Sequence, residues 1–181
     1  MSNDILKRED ELNELLAADF DRIIYLGSGS LAGIAREVQL KILELTAGKI
    51  ATAFDSSLGF RHGPKSFVNE KSLVFLLVSN DRYTKQYDVD MLTELQGDQI
   101  AHTVCGVSVG DTNNDAKVSF VIDEKHNAVP DGYLALPYTV FGQMISMLAA
   151  VKVDNKPDTP SPTGTVNRVV KGVIIYDNLT D

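Results

Sequence analysis

The chain predicts a doubly wound three-layer αβα sandwich built on a five-stranded parallel sheet. Five short, almost continuously apolar runs, at 22–26, 49–54, 73–79, 101–107 and 118–122, are rich in β-branched residues and read as strands buried on both sheet faces. Longer helical patterns alternate with them at 31–46, 84–95 and 138–151, the arrangement of repeated βα units. With 181 residues and 44% hydrophobic content, the chain can bury one core and is short for two.

Each element has its own signal. Residues 1–20 carry an amphipathic helix over 5–18, residues 21–153 form the α/β domain, and residues 154–181 form a tail. The first run ends in Gly27-Ser28-Gly29-Ser30, a turn that opens a helix. In that helix Ile34, Val38, Ile42 and Leu45 make an apolar stripe, and Glu37, Lys41 and Glu44 lie to one side of it, at intervals of four and three residues. The third run leads into Ser79-Asn80-Asp81-Arg82-Tyr83-Thr84, where Thr84 is the expected helix cap. The segment 154–164 holds three prolines and reads as an extended connector. The strip 166–176, with Arg168 and Lys171 embedded, is too apolar for a free tail and is expected to pack on this domain or a partner.

Charge and composition exclude several classes. A formal net charge of -8 repels nucleic acid and anionic membrane, so an anionic ligand must find local positive charge. The single cysteine, Cys105, permits no disulfide framework and suits a reduced, cytoplasmic setting. The amino terminus is too polar for a signal peptide. No apolar stretch is expected to reach the roughly 20 residues of a membrane span.

Four groups of residues carry candidate chemistry. The amides of Gly27-Ser28-Gly29-Ser30 suit an anion, and the Ser28 and Ser30 hydroxyls add donors for a small phosphate or sugar. With Ala32 the turn also fits Gly-x-Gly-x-x-Ala, and Asp55 stands where a ribose-binding acid would, so a dinucleotide is an alternative, as is a plain tight turn. Glu37, Lys41 and Glu44, together with an imidazole at His62, make a set able to move protons; by spacing alone the stripe reads first as a solvated helix edge. His62 lies in Gly59-Phe60-Arg61-His62-Gly63-Pro64-Lys65, where Arg61 and Lys65 form a basic cluster suited to a phosphorylated substrate. Ser79 and Asn80 place a hydroxyl and an amide at the same sheet edge. His102 and His126 have no partner in the pattern and stay outside the site.

These residues carry a family resemblance. Leu26-Gly27-Ser28-Gly29, the stretch from Leu58 through Arg61-His62-Gly63-Pro64-Lys65-Ser66, and Ser79-Asn80-Asp81-Arg82-Tyr83-Thr84-Lys85-Gln86-Tyr87-Asp88 closely resemble the second sugar isomerase (SIS) domain of the tagatose-6-phosphate ketose/aldose isomerase family, also described as galactosamine-6-phosphate deaminase/isomerases. The resemblance returns in Pro157-Asp158-Thr159-Pro160-Ser161 and Gly164-Thr165-Val166-Asn167-Arg168-Val169-Val170. It implies a flavodoxin-like strand order and proton transfer through an enediol or enolamine on a phosphorylated hexose or amino-hexose. Glu44 resembles the general base, Lys41 the lysine that orients it, and Glu37 a third acidic position. His62 is similar to a ring-opening histidine contributed by the neighbouring subunit. Lys171 resembles a lysine of a tail that folds over the sugar. The resemblance implies no metal or redox cofactor, and pairing as a homodimer or with another SIS domain.

One departure narrows the expectation. In that family the phosphate sits mainly in the first SIS domain, in a Ser-x-Ser-Gly-x-Thr loop, and the corresponding segment 79–84 lacks the glycine and second serine. The chain therefore resembles the second half of a tandem protein. The competing class is a noncatalytic sugar-phosphate-binding or dimerisation module.

Overall fold

A computed structural model describes residues 1–112, 118–166 and 169–178. Its five strands, β1 (Arg22–Gly27), β2 (Ala51–Asp55), β3 (Ser72–Leu77), β4 (Thr103–Val109) and β5 (Ser119–Ile122), form one sheet in the order β2-β1-β3-β4-β5. Every neighbouring pair is parallel. The expected strands are thus all present, with ends shifted by a few residues.

Alternation along each strand divides the core between two layers. Ile23, Tyr25, Phe75 and Val107 face one layer, with α3 (Ser30–Leu45), α6 (Asp131–Lys152) and the short helices α1 (Ser2–Leu6) and α2 (Glu9–Leu15). Ile24, Leu26, Val74 and Leu76 face the other, with Phe60 of α4 (Ser57–Phe60) and Met91, Leu92 and Leu95 of α5 (Arg82–Asp98). The α3–α6 contact is close because Gly142 has no side chain: a Cβ there would lie 2.1 Å from Val38 Cγ1. Any larger residue must separate the two helices.

Four expectations change. The amino-terminal helix is broken at Lys7 and Arg8, because Arg8 turns toward the sheet edge; its guanidinium lies 3.7 Å over the Phe120 ring and donates to the Val121 carbonyl at 2.8 Å. The last helix begins at Asp131, seven residues before 138, with Pro137 inside it and fully packed in the core. An 18-residue window of this 22-residue helix has a mean hydropathy of 1.6, so one segment is long and apolar enough to span a membrane, contrary to expectation; here it is largely buried as a core helix. The cap of α5 is Asp81, whose carboxylate accepts from the Tyr83 and Thr84 amides at 3.2 and 2.9 Å, so Thr84 lies inside the helix.

The connector is anchored by Asn155, which donates to the carbonyls of Leu45 and Pro160 at 2.6 and 3.0 Å and so holds the end of α3. Beyond it the apolar strip does not pack on this domain. Exposure runs from 67% at Val173 to 92% at Ile175, and Asn167 and Arg168 lie outside the described residues.

Candidate functional site

Parallel strands deliver their loops to one edge, and the strand order reverses between β1 and β3, which places a crevice at the carboxyl ends of those two strands. The turn after β1 is Gly27-Ser28-Gly29, and Gly29 takes a left-handed φ of 57° as α3 begins. No described side chain caps α3, but the Leu31 and Ala32 amides turn back onto the Ser28 and Gly29 carbonyls at 3.0 and 3.2 Å, so of its first three amides that of Ser30 alone has no carbonyl partner among the described residues. Ser30, the first residue of α3, is exposed.

The Glu37-Lys41-Glu44 stripe sits where the spacing places it, beside the buried Val38 and Ile42. Lys41 Nζ lies 2.8 Å from Glu44 Oε2 and 3.5 Å from Glu37 Oε1. All three side chains remain 28% to 45% exposed. The hydrogen bond to Glu44 raises the Lys41 ammonium above its ordinary value, and desolvation opposes it. Lys41 is therefore a fixed cation between two carboxylates, each of which keeps open lone pairs.

His62 is exposed in the turn between α4 and a 3₁₀ turn at Pro64–Phe67. Its amide donates to the Gly59 carbonyl at 3.0 Å, which fixes the backbone and leaves the ring toward solvent. Lys171 lies in the exposed tail.

Arg61 and Lys65 differ from the expected basic cluster. Arg61 Nε meets Glu94 Oε2 at 2.8 Å, and Lys65 bridges Glu94 and Asp98, so two carboxylates of α5 neutralise two cations. Glu94 is held below the usual carboxylate range, first by the hydrogen bond from Lys65 and then by Arg61. The cluster clamps the His62 turn onto α5.

Ser79 and Asn80 are also engaged. Ser79 Oγ donates to Asp131 Oδ2 at 2.6 Å, and the Asn80 amide to Asp131 Oδ1 at 2.8 Å. The Asn80 side chain donates to the carbonyls of Val129 and His126 at 2.9 and 3.3 Å. Asp131, at the start of α6, thereby shapes the loop after β3.

Asp88 is the residue that the sequence reading passes over. Fully buried on α5, it accepts from Ser28 Oγ and Ser57 Oγ, each at 2.5 Å, and from the Ser79 amide at 3.0 Å. One carboxylate thus joins the loops after β1, β2 and β3. Burial pushes its carboxyl upward, while these three donors pull it down. A signal was present: Asp88, Met91, Leu92 and Leu95 share one buried stripe, and an acid on an apolar stripe needs polar partners. Cys105, by contrast, is a buried core thiol pushed up to about 12 by burial, and is no nucleophile. Among the described residues no group of three or more potential metal ligands occurs.

Comparison with known proteins gives a consistent picture. The SIS domain family matches residues 16–151. A D-galactosamine-6-phosphate deaminase AgaS of Escherichia coli is 45% identical over 159 residues, covering 88% of this chain and 41% of that protein. The protein of the same name from Shewanella sp. (strain ANA-3) is 41% identical over 155 residues, covering 86% of this chain and 37% of that protein. The crystal structure of a tagatose-6-phosphate ketose/aldose isomerase from Escherichia coli matches with a TM-score of 0.77 and 36% identity, over 93% of this chain and 46% of that one. The chain spans less than half the length of each of these relatives.

Proposed function

The chain belongs to the SIS domain family, and we propose that it supplies the proton-transfer residues of a phosphosugar aldose/ketose isomerase or deaminase-isomerase. The substrate in this reading is a hexose 6-phosphate, tagatose 6-phosphate or galactosamine 6-phosphate, as the names of its relatives suggest. The observation that carries it is the Glu37-Lys41-Glu44 stripe: two accessible carboxylates stand on one ammonium within a domain 45% identical to a galactosamine-6-phosphate deaminase.

Roles are assigned from the family resemblance. Glu44 is the general base that moves a proton between sugar carbons 1 and 2 through an enediol or enolamine. Lys41 holds that carboxylate in place, and Glu37 shares the same ammonium. His62 assists ring opening, and Lys171 comes down over the sugar with the tail. The turn 27–30 receives the substrate, while Ser79 and Asn80, held by Asp131, shape the neighbouring loop and Arg61 and Lys65 shape the His62 turn. The exposure of His62 and of the tail favours completion of the site by another SIS domain or a second copy, which also holds much of the phosphate.

A noncatalytic sugar-phosphate-binding or dimerisation module is the second reading, favoured by the exposure of the carboxylates in the chain alone. One experiment separates the two. Turnover of galactosamine 6-phosphate and tagatose 6-phosphate is assayed for the 181-residue chain with and without a first SIS domain, as wild type and as Glu44→Gln. Glu44→Gln is expected to lower turnover by at least ~10²-fold with binding retained, since it removes the base and keeps its shape. Near-normal turnover would sink the assignment. Binding without turnover in the wild-type pair would favour the module.

A further inference from the structure

Ser28 carries a hydroxyl with one proton and two lone pairs. That proton already has a destination. Ser28 Oγ lies 2.5 Å from Asp88 Oδ1, and Ser57 Oγ reaches the same oxygen at 2.5 Å. The other oxygen, Oδ2, accepts from the Ser79 amide at 3.0 Å, and an amide can only donate. With the carboxylate ionised, all three partners of this fully buried group act as donors, and the longer 3.2 Å bond in which Ser28 Oγ donates to Ser57 Oγ directs the same single proton inward.

We propose that Asp88 is a positioning residue that fixes the polarity of the turn 27–30, turning the Ser28 hydroxyl into a pure acceptor toward a ligand. Its proton points inward, and only its lone pairs face the half-open crevice. The consequence is chemical selection. A phosphate oxygen and a lone pair repel, whereas a sugar hydroxyl or an ammonium group donates into that lone pair. Ser28 then reads a donor on the sugar, and a phosphate on this turn is left to the backbone amides. This reverses the expectation that Ser28 supplies a donor to phosphate. The inference rests on the reading of this edge as a sugar-phosphate site and specifies which part of the ligand Ser28 meets.

Two measurements on the 181-residue chain test it. The first needs no ligand: proton NMR near neutral pH is expected to show a slowly exchanging, low-field hydroxyl proton that Ser28→Ala removes. Absence of a protected Ser28 hydroxyl proton would overturn the proposal. The second measures affinity for galactosamine 6-phosphate and for inorganic phosphate. Ser28→Ala is expected to weaken the amino sugar phosphate by about tenfold, one lost hydrogen bond, and to leave inorganic phosphate unchanged. Equal losses for both probes would overturn the assignment to a sugar donor. A wild-type chain that binds neither probe, alone or paired with a first SIS domain, would overturn the sugar-phosphate reading of this edge, and the hydroxyl proton would still decide the orientation.

Discussion

Asp88 on α5 and the Glu37-Lys41-Glu44 stripe on α3 are both charged features of helices that flank the same sheet, and the fold treats them in opposite ways. Asp88 is fully buried and accepts only from neutral donors, two hydroxyls and an amide. The stripe keeps between 28% and 45% of each side chain in water, and its members pair with one another. The difference separates two kinds of polar work. A buried carboxylate with every partner assigned holds loops in place, and its removal strands those partners. An exposed pair in water adds little to stability and stays available for chemistry.

The contrast is tested most severely by Asp88→Ala. It leaves the Ser57 hydroxyl and the Ser79 amide buried without their acceptor, and the expected loss is about 3 kcal/mol in urea denaturation. A loss no larger than that of a surface substitution would remove Asp88 from its place at the centre of the loops. Its pH dependence sharpens the point. Because burial raises the folded-state carboxyl above its ordinary 3.8, the native state binds the proton more tightly than the unfolded chain. The contribution is fully present below the unfolded value and is lost as pH rises through the folded one. Glu94, lowered by Lys65 and Arg61, behaves in the opposite sense: its contribution is present above the unfolded value and disappears as pH falls. Denaturation of Asp88→Asn against wild type across the acid range reads the first sign, and Glu94→Gln reads the second.

A smaller effect is expected at Tyr25. Its hydroxyl is buried in the centre of β1 with no hydrogen-bond partner among the described residues. Tyr25→Phe removes an uncompensated polar group without changing the ring, so stability should rise by about 1 kcal/mol in thermal or chemical melts. A loss would reveal that the hydroxyl is satisfied in solution. The smallest effect is assigned to the stripe itself: Lys41→Met should change stability by less than about 0.5 kcal/mol, measured in the same melts. A loss comparable to that of Asp88→Ala would make the stripe structural and dissolve the contrast.

The strands were legible because parallel strands buried on both faces are continuously apolar, and β1 and β3 read off as 22–26 and 73–79 against Arg22–Gly27 and Ser72–Leu77. Helix ends were less so. Pro137 hides the first two turns of α6, since proline inside a helix forfeits an amide bond and reads as a stop; packing against α3 and the sheet overrides that preference. The break at Arg8 depends on Phe120 and Val121, more than a hundred residues away, and no local pattern contains it. At the site, helical spacing located Glu37, Lys41 and Glu44 because their relation is local. The partners of Arg61, Lys65, Ser79 and Asn80 lie on α5 and α6, and pairing across elements is invisible to spacing.

The arginine that breaks the amino-terminal helix also fixes how this sheet can meet another. With Arg8 occupying the Val121 carbonyl on β5, that margin of the ribbon has one acceptor already engaged, whereas on the opposite margin, β2, Phe54 is 42% exposed. A ribbon with two open margins can stack end to end without limit. An edge whose carbonyl is already taken by a cation is a poorer template for a further strand, so the arginine acts on this sheet as a guard against indiscriminate edge-to-edge pairing.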